Sequence, residues 1–181
     1  MKTLTLLRHA KSGWDDGVQR DFDRPLNPKG RRAAQTMGRH LRREGLIFDH
    51  VIASPAQRVV ETMAEVEAGY GQSLSAAWDK RLYLAPAEAL LEVVRGLPDA
   101  HARVLLVGHN PGLEDLVLDV VADGGSERGG PRDSVELKYP TAALAELTWA
   151  DGWPGLRSGG ATLTRFTRPR DLDPALGPDE E

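Results

Sequence analysis

Two histidines of this chain each come directly after a short apolar run. Arg8 and His9 follow Thr3-Leu4-Thr5-Leu6-Leu7, and His109 follows Val104-Leu105-Leu106-Val107-Gly108. Such runs are typical of buried strands, and open α/β sheets bind ligands at the carboxyl ends of their parallel strands. A histidine can act as a nucleophile, and an arginine can bind a phosphate through two hydrogen bonds. The pattern therefore predicts one phosphoryl site assembled from distant parts of the chain.

A third group of polar residues, Ser54-Pro55-Ala56-Gln57-Arg58, follows a second short strand predicted over residues 49–53. Ser54 is a candidate N-cap, which places Arg58 in the first turn of the predicted helix. A phosphate at that helix N-terminus would meet free backbone N–H groups and the positive end of the helix dipole as well as the guanidinium group. With Arg8, His9 and His109, Arg58 would balance the charge of a dianionic phosphoryl group during transfer.

Each of these features has an alternative explanation when it is taken alone. A single histidine is more often structural than catalytic, and Ser54-Pro55 alone is an ordinary helix start. His9 and His109 could instead bind zinc, but no third ligand stands at a diagnostic spacing. The chain contains neither a G-x-x-x-x-G-K-[ST] nor a G-x-G-x-x-G motif, which disfavours a P-loop or dinucleotide-binding site.

The composition excludes several classes of protein. The chain has 181 residues, a net charge of −4 and no cysteine, so disulfides, thiolate metal sites and a cysteine nucleophile are excluded. It shows no signal-peptide pattern and no run approaching the ~18 apolar residues of a membrane helix. We therefore expect a cytoplasmic protein that binds neither membranes nor nucleic acid. An anionic ligand would have to be attracted by a local basic cluster.

Strand and helix patterns alternate along the chain. They predict strands over 3–7, 49–53, 75–78, 104–107, 142–148 and 161–167, and helices over 28–45, 54–68, 86–97 and 111–121. This alternation indicates one α/β domain over residues 1–168, a three-layer α/β/α sandwich with a mainly parallel sheet. The last two strands are expected to form a hairpin-like pair. The Gly-rich stretch 123–133 predicts a mobile loop, and the Pro-rich, acidic residues 169–181 predict a disordered tail.

Five stretches, in order over residues 1–168, resemble the histidine phosphatase superfamily and its SixA-like phosphohistidine phosphatase branch. They are Leu7-Arg8-His9-Ala10-Lys11-Ser12, Arg24-Pro25-Leu26-Asn27-Pro28-Lys29-Gly30, Ser54-Pro55-Ala56-Gln57-Arg58, Val107-Gly108-His109-Asn110-Pro111 and Tyr139-Pro140-Thr141-Ala142-Ala143. The resemblance implies the phosphoglycerate mutase-like fold and a phosphatase in which His9 is transiently phosphorylated. It also implies that Arg8, Arg58 and His109 complete the phosphate pocket, that Ser12 is a candidate contact to the phosphoryl group, and that no metal or organic cofactor is needed.

The chain departs from the related phosphoglycerate mutases at several positions. Ala10, Lys11 and Asp15 replace the glycine, glutamate and asparagine of the mutase motif R-H-G-E-S-x-W-N. Leu84 stands where the similar mutase stretch R-L-x-E carries its general-acid glutamate. The segment before His109 is also too short for the mutases' substrate-covering insertion. These departures argue against a sugar-phosphate mutase.

A missing general acid suits one class of substrate. An alkoxide leaving group needs a proton in the transition state. Phosphohistidine with its free ring nitrogen protonated can instead depart as neutral imidazole, and a histidine pKa of about 6.5 makes that form accessible near neutral pH. Asp15, Asp16 and Glu88 are other candidates for the acid.

We therefore predict a metal-independent phosphatase that acts on phosphohistidine in a protein. The alternatives are a small-molecule phosphomonoester phosphatase with the same His9 chemistry and a non-catalytic binding module for phosphorylated ligands.

Overall fold

The structure, a computed structural model, describes residues 1–14, 17, 20–124 and 129–177. Within these residues, six strands form one sheet between layers of helices. The strands are β1 (Lys2–Arg8), β2 (His50–Ala53), β3 (Ala77–Trp78), β4 (Arg103–Gly108), β5 (Leu144–Trp149) and β6 (Thr162–Thr167). The helices are α1 (Pro28–Arg43), α2 (Gln57–Tyr70), α3 (Ala87–Arg95), α4 (Gly112–Val120), α5 (Pro131–Leu137) and α6 (Pro169–Leu172).

The sheet is mainly parallel, as the alternation of elements predicts. Its strand order is β3-β2-β4-β1-β5-β6. The four strands from β3 to β1 run parallel to their neighbours, whereas β5 is antiparallel to β1, and β6 to β5. The hairpin-like pairing of the last two strands is thus confirmed. Because β1 and β4 are adjacent and parallel, the residues that follow them emerge side by side at one edge.

Alternating side chains of the central strands fill two separate cores. In β1, Leu4 and Leu6 pack on the side of the sheet that carries α3 and α4. Leu7 packs on the opposite side, with α1 and α2. Since successive side chains of a strand point to opposite faces, a strand that is apolar at both sets of positions is covered on both faces. This produces the expected three layers.

The start of α1 holds the loop that follows β1. Asn27 is the N-cap, as predicted, and its side chain accepts a hydrogen bond from the backbone N–H of Gly30 at 2.8 Å. The backbone N–H of Asn27 donates to the carbonyl of Lys11 at 3.0 Å. A Cβ on Gly30 would lie 2.1 Å from that same carbonyl oxygen. Gly30 therefore allows the loop after His9 to lie directly against the helix.

The end of the chain differs from the expected disordered tail. Residues 169–177, the C-terminal segment, form α6 and a short 3-10 turn. The side chain of Leu176 is buried against the core that contains α1, and the carbonyl of Gly177 accepts a hydrogen bond from the Lys29 ammonium at 2.6 Å. The segment contains two apolar residues, Leu172 and Leu176, that pack against this core. Its Pro-rich, acidic composition does not reveal this packing. Residues 178–181 lie outside the described residues.

The loop expected over 123–133 is partly helical. The helix α5 begins at Pro131, where a proline suits the first helical turn, and residues 125–128 lie outside the described ranges. No helix in the described part of the chain is long and apolar enough to cross a lipid bilayer.

Candidate active site

His9 lies immediately after β1 and is almost fully buried. Its Nδ1 is 2.7 Å from the carbonyl oxygen of Ala10. A carbonyl can only accept, so Nδ1 carries the proton and Nε2 keeps a lone pair. Burial, followed by the positive charge of Arg8, lowers the pKa of His9 to about 3, against the opposing effect of the Ala10 hydrogen bond. His9 is therefore neutral near pH 7, with a nucleophilic nitrogen available.

His109 follows β4 and has a partner at each ring nitrogen. Its Nδ1 lies 3.3 Å from the Nη2 of Arg58, which can only donate, so Nδ1 accepts. Its Nε2 lies 2.8 Å from the Oγ of Ser54 and donates to it. Burial, followed by the Arg58 charge, lowers the pKa of His109 to about 4, while Asp21 opposes the shift. Burial and these contacts thus keep His109 neutral near pH 7.

The four residues predicted for the site come together at the carboxyl edge of the sheet. The ring centroids of His9 and His109 are 5.3 Å apart, with a tilt of 56° between the rings. Arg58 contacts His109 directly, and the charge of Arg8 lowers the pKa values of both histidines. The strand-end argument therefore places these side chains correctly.

Arg8 has an unused donor. Its Nη1 donates to the carbonyl of Tyr139 at 2.9 Å, but its buried Nε has no acceptor among the residues that the structure describes. A buried N–H without a partner is costly. A phosphate oxygen is the kind of acceptor that would satisfy it.

Two details of the sequence interpretation need adjustment. Ser54 does not cap a helix, because α2 begins at Gln57 with Ala56 as its N-cap. The Ser54 hydroxyl instead accepts from the N–H of Ala56 and from His109, so it fixes the orientation of the imidazole. Ser12 forms an isolated antiparallel bridge with Leu26 and is partly buried. Its predicted contact to a phosphoryl group stays a prediction.

Asp21 is a site residue that the sequence argument did not identify. Its carboxylate lies 3.0 Å from the Nη2 of Arg58, accepts from the Tyr83 hydroxyl at 2.7 Å, and pairs with Arg24 at 3.2 Å. Its backbone carbonyl also accepts from Arg58 at 2.8 Å. Burial raises the pKa of Asp21, but the hydrogen bonds from Tyr83 and Arg58 outweigh it and lower the pKa to about 2. Asp21 is therefore an ionised partner of the arginine.

The strand-end pattern does not include Asp21, because this residue lies in the long connection between β1 and α1. The signal that could have found it is its position just before the motif that begins at Arg24, in the stretch Asp21-Phe22-Asp23-Arg24.

Thr62 is a second unrecognised residue, and it joins two of the motifs. Its hydroxyl accepts from the backbone N–H of Ala10 at 2.9 Å and donates to the carbonyl of Arg58 at 2.7 Å. Thr62 therefore fixes the loop after His9 relative to the first turn of α2.

Of the positions considered for a general acid, the two that the structure describes are exposed to solvent. Leu84, in the position of the mutase glutamate, is 54% exposed. Glu88 is exposed in the first turn of α3, and Asp15 and Asp16 lie outside the described residues. Within the described ranges, no group of three or more His, Cys, Asp or Glu residues is arranged to hold a metal ion.

Comparison with known proteins gives a consistent result. Residues 4–83 match the histidine phosphatase superfamily (branch 1). An uncharacterized protein of Mycobacterium tuberculosis is 33% identical over 164 residues, covering 91% of this chain and all of that protein.

Solved structures extend the comparison to the whole fold. A Nakamurella multipartitia protein assigned as a phosphohistidine phosphatase, SixA, matches with a TM-score of 0.76 and 31% identity, covering 93% of this chain and 96% of its own. A protein histidine phosphatase SixA, solved with tungstate, matches with a TM-score of 0.74 and 21% identity over 94% of this chain and 99% of its own, which shows the shared fold.

Proposed function

The chain belongs to the histidine phosphatase superfamily, in its SixA-like branch, and from this premise we propose that it removes phosphate from phosphohistidine on a protein. Membership makes it a phosphatase, so a non-catalytic binding module no longer fits. The proposal concerns the substrate and the roles of the residues at the site.

The reaction proceeds by two displacements at phosphorus. In the first, the Nε2 lone pair of His9 forms a bond to phosphorus while the P–N bond to the substrate imidazole breaks. The substrate leaves as neutral imidazole, because its other ring nitrogen already carries a proton. In the second, water attacks phospho-His9, which releases inorganic phosphate and restores the His9 lone pair. Arg8 and Arg58 neutralise the phosphoryl oxygens in both steps.

His109 changes its protonation state as phosphate arrives. In the structure its Nδ1 accepts from Arg58 and therefore cannot donate to an oxygen. A phosphoryl dianion raises the pKa of a neighbouring imidazole. Nδ1 then takes up a proton and donates to the phosphoryl group, while Nε2 stays on Ser54. Arg58 stays paired with Asp21 while it binds the phosphoryl group, because a guanidinium has five N–H donors and the contacts to Asp21 involve Nη1 and Nη2 alone.

The observation that carries the substrate proposal is the state of the carboxylate at the site. Asp21 is held ionised, with a pKa of about 2, so it has no proton to give an alkoxide near neutral pH. Leu84 replaces the mutase acid. These side chains therefore suit a leaving group that already carries a proton. The protonated imidazole of phosphohistidine is such a leaving group.

The test is a comparison of kcat/KM for a phosphohistidine protein, an aryl phosphate and a panel of alkyl phosphomonoesters, with EDTA present throughout. We expect the phosphohistidine protein to be the best substrate, followed by the aryl and then the alkyl phosphates, because leaving-group demand increases in that order. Equal or better turnover of the alkyl phosphates would show that an acid operates at the site and would favour a small-molecule phosphomonoester phosphatase.

A further inference from the structure

A basic cavity lies beside Arg8, outside the cluster formed by His9, Arg58 and His109. Its volume is about 400 Å³, which is within the range of sites for small ligands. The walls are the end of β1 with the loop after it, the start of α1, the turn between α5 and β5, and residues 168–177. The cationic residues among its lining are Arg8, Lys11, Lys29, Lys138, Arg168 and Arg170.

The charge in this cavity is of one sign. None of the described residues that line it is an aspartate or a glutamate. Arg168 is held by Asp171 at 2.8 Å, and Lys29 is held by the carbonyl of Gly177. Lys138 and Arg170 are exposed. Several cations around one concavity raise the local potential and attract anions, whatever the net charge of the whole chain.

The cavity adjoins the reaction centre. Arg8 lines it and also acts on both histidines. Pro140 and Thr141 form part of the wall, and the next residue, Ala142, donates its N–H to the carbonyl of His9 at 3.0 Å. The cavity and the reaction centre therefore share Arg8, and one ligand can occupy both.

We propose that this cavity binds acidic side chains that neighbour the phosphohistidine in the protein substrate. The proposal rests on the function proposed above and specifies its substrate. The cations come from four separate chain segments, which suits an extended acidic stretch better than one compact anion.

The experiment uses a double variant, Lys138→Gln with Arg170→Gln, in the full-length chain. Both residues are exposed and neither belongs to the proposed catalytic group. A matched control, Arg39→Gln with Arg43→Gln, removes the same charge from exposed positions of α1 that do not line the cavity. The substrates are phosphohistidine peptides with flanking Asp and Glu, the same peptides with Asn and Gln, and p-nitrophenyl phosphate, which has no flanking residues.

We expect the wild type to prefer the acidic peptide by about tenfold in kcat/KM, mainly through KM, as charge complementarity predicts. The Lys138/Arg170 variant should lose most of this preference, while the control variant keeps it. Activity on p-nitrophenyl phosphate should change by less than about twofold in both, since single exposed charges have small effects. Added salt should reduce the preference of the wild type.

Three results would overturn the proposal, and they are distinguishable from one another. Equal turnover of acidic and neutral peptides by the wild type would remove the acidic subsite and leave the proposed function intact. No turnover of either peptide, with p-nitrophenyl phosphate still hydrolysed, would remove the proposed function and this inference with it. A preference for the acidic peptide that the Lys138/Arg170 variant keeps in full would show that the cavity does not bind the flanking carboxylates.

Discussion

Two pairs of histidines stand at opposite edges of the sheet, and their surroundings differ. At the carboxyl edge, His9 and His109 are 5.3 Å apart and tilted. At the other edge, His50 and His101 are 4.4 Å apart and stacked with an angle of 2° between the rings. His101 also lies 3.9 Å from the carboxylate of Asp49. The stacked pair is the closer of the two, yet it is only partly buried.

The comparison shows that proximity of two imidazoles does not by itself make a phosphoryl site. The pKa of His50 is also lowered, by burial and then by His101, so a lowered pKa is not the difference either. The pair at the carboxyl edge has Arg8 and Arg58 beside it, whereas the stacked pair has the carboxylate of Asp49. Only the first environment attracts a dianion and stabilises its charge during transfer.

The largest effect should come from removing the proposed nucleophile. His9→Ala should lower kcat on p-nitrophenyl phosphate by about 10³-fold or more, since loss of a nucleophile removes the covalent route. Steady-state kinetics in EDTA measure this. A His9→Ala variant with near-wild-type activity would show that His9 is not the nucleophile. The pair at the carboxyl edge would then have no catalytic role that the stacked pair lacks.

Removal of Arg58, the cation in contact with His109, should have the next largest effect. Arg58→Gln should reduce kcat/KM by about 10²-fold, because one charged donor to the transferring group is lost. Arg39→Gln, at an exposed position of α1, is the control. If the two substitutions had similar small effects, the arginine environment would not be what separates the two histidine pairs.

The Asp21→Asn substitution tests whether the carboxylate competes with phosphate for Arg58. Removing its charge frees Arg58 from a competing anion, so inhibition by inorganic phosphate should strengthen by about fivefold. Product-inhibition kinetics give this value. A fall in kcat of about 100-fold instead would identify Asp21 as a proton-transfer group, in conflict with its pKa of about 2.

The free energy of unfolding should decrease as the pH is lowered, because His9 and His109 are buried in the neutral form. An unfolded histidine titrates near 6.5, whereas the folded pKa values of His9 and His109 are about 3 and about 4. Below pH 6.5 the unfolded state therefore binds more protons, and the free energy of unfolding decreases until the folded groups also titrate. For His109 alone the loss is about 3 kcal/mol between pH 6.5 and 4.

Urea unfolding at several pH values tests this slope. His109→Gln should give a shallower dependence than the wild type between pH 6.5 and 4. Saturating phosphate should flatten it as well, because a bound phosphate anion raises the pKa of His109. An identical slope in the wild type and the variant would mean that His109 is not held neutral.

The smallest effect should come from the stacked pair. His101→Ala should leave kcat/KM within about twofold of the wild type, because substitutions away from a site have little effect on it. The same assay as for His9→Ala is used. A loss comparable to that of His9→Ala would show that the two ends of the sheet are coupled.

The sequence predicts most of the fold and the central part of the site. Arg8, His9 and His109 follow strands whose apolar pattern is unambiguous, and parallel neighbours bring their ends together. Asp21, Thr62 and the basic cavity could not be predicted in this way, because they depend on how a long connection, a helix face and the C-terminal segment pack in three dimensions.

Two errors have local physical causes. Ser54 looks like an N-cap because serine before proline usually starts a helix, but its hydroxyl is used by His109 and α2 begins three residues later. The tail after residue 168 looks disordered by composition, although Leu172 and Leu176 pack with the core next to α1.

The most direct test of the account is to trap the covalent intermediate. The full-length protein is mixed with a phosphohistidine protein in EDTA, quenched in alkali, where phosphohistidine survives, and mapped by mass spectrometry. We predict a phosphoryl group on His9 within the first turnover, and none on His109, His50 or His101. Full-rate turnover without phospho-His9, or a phosphoryl group on another residue, would contradict the account.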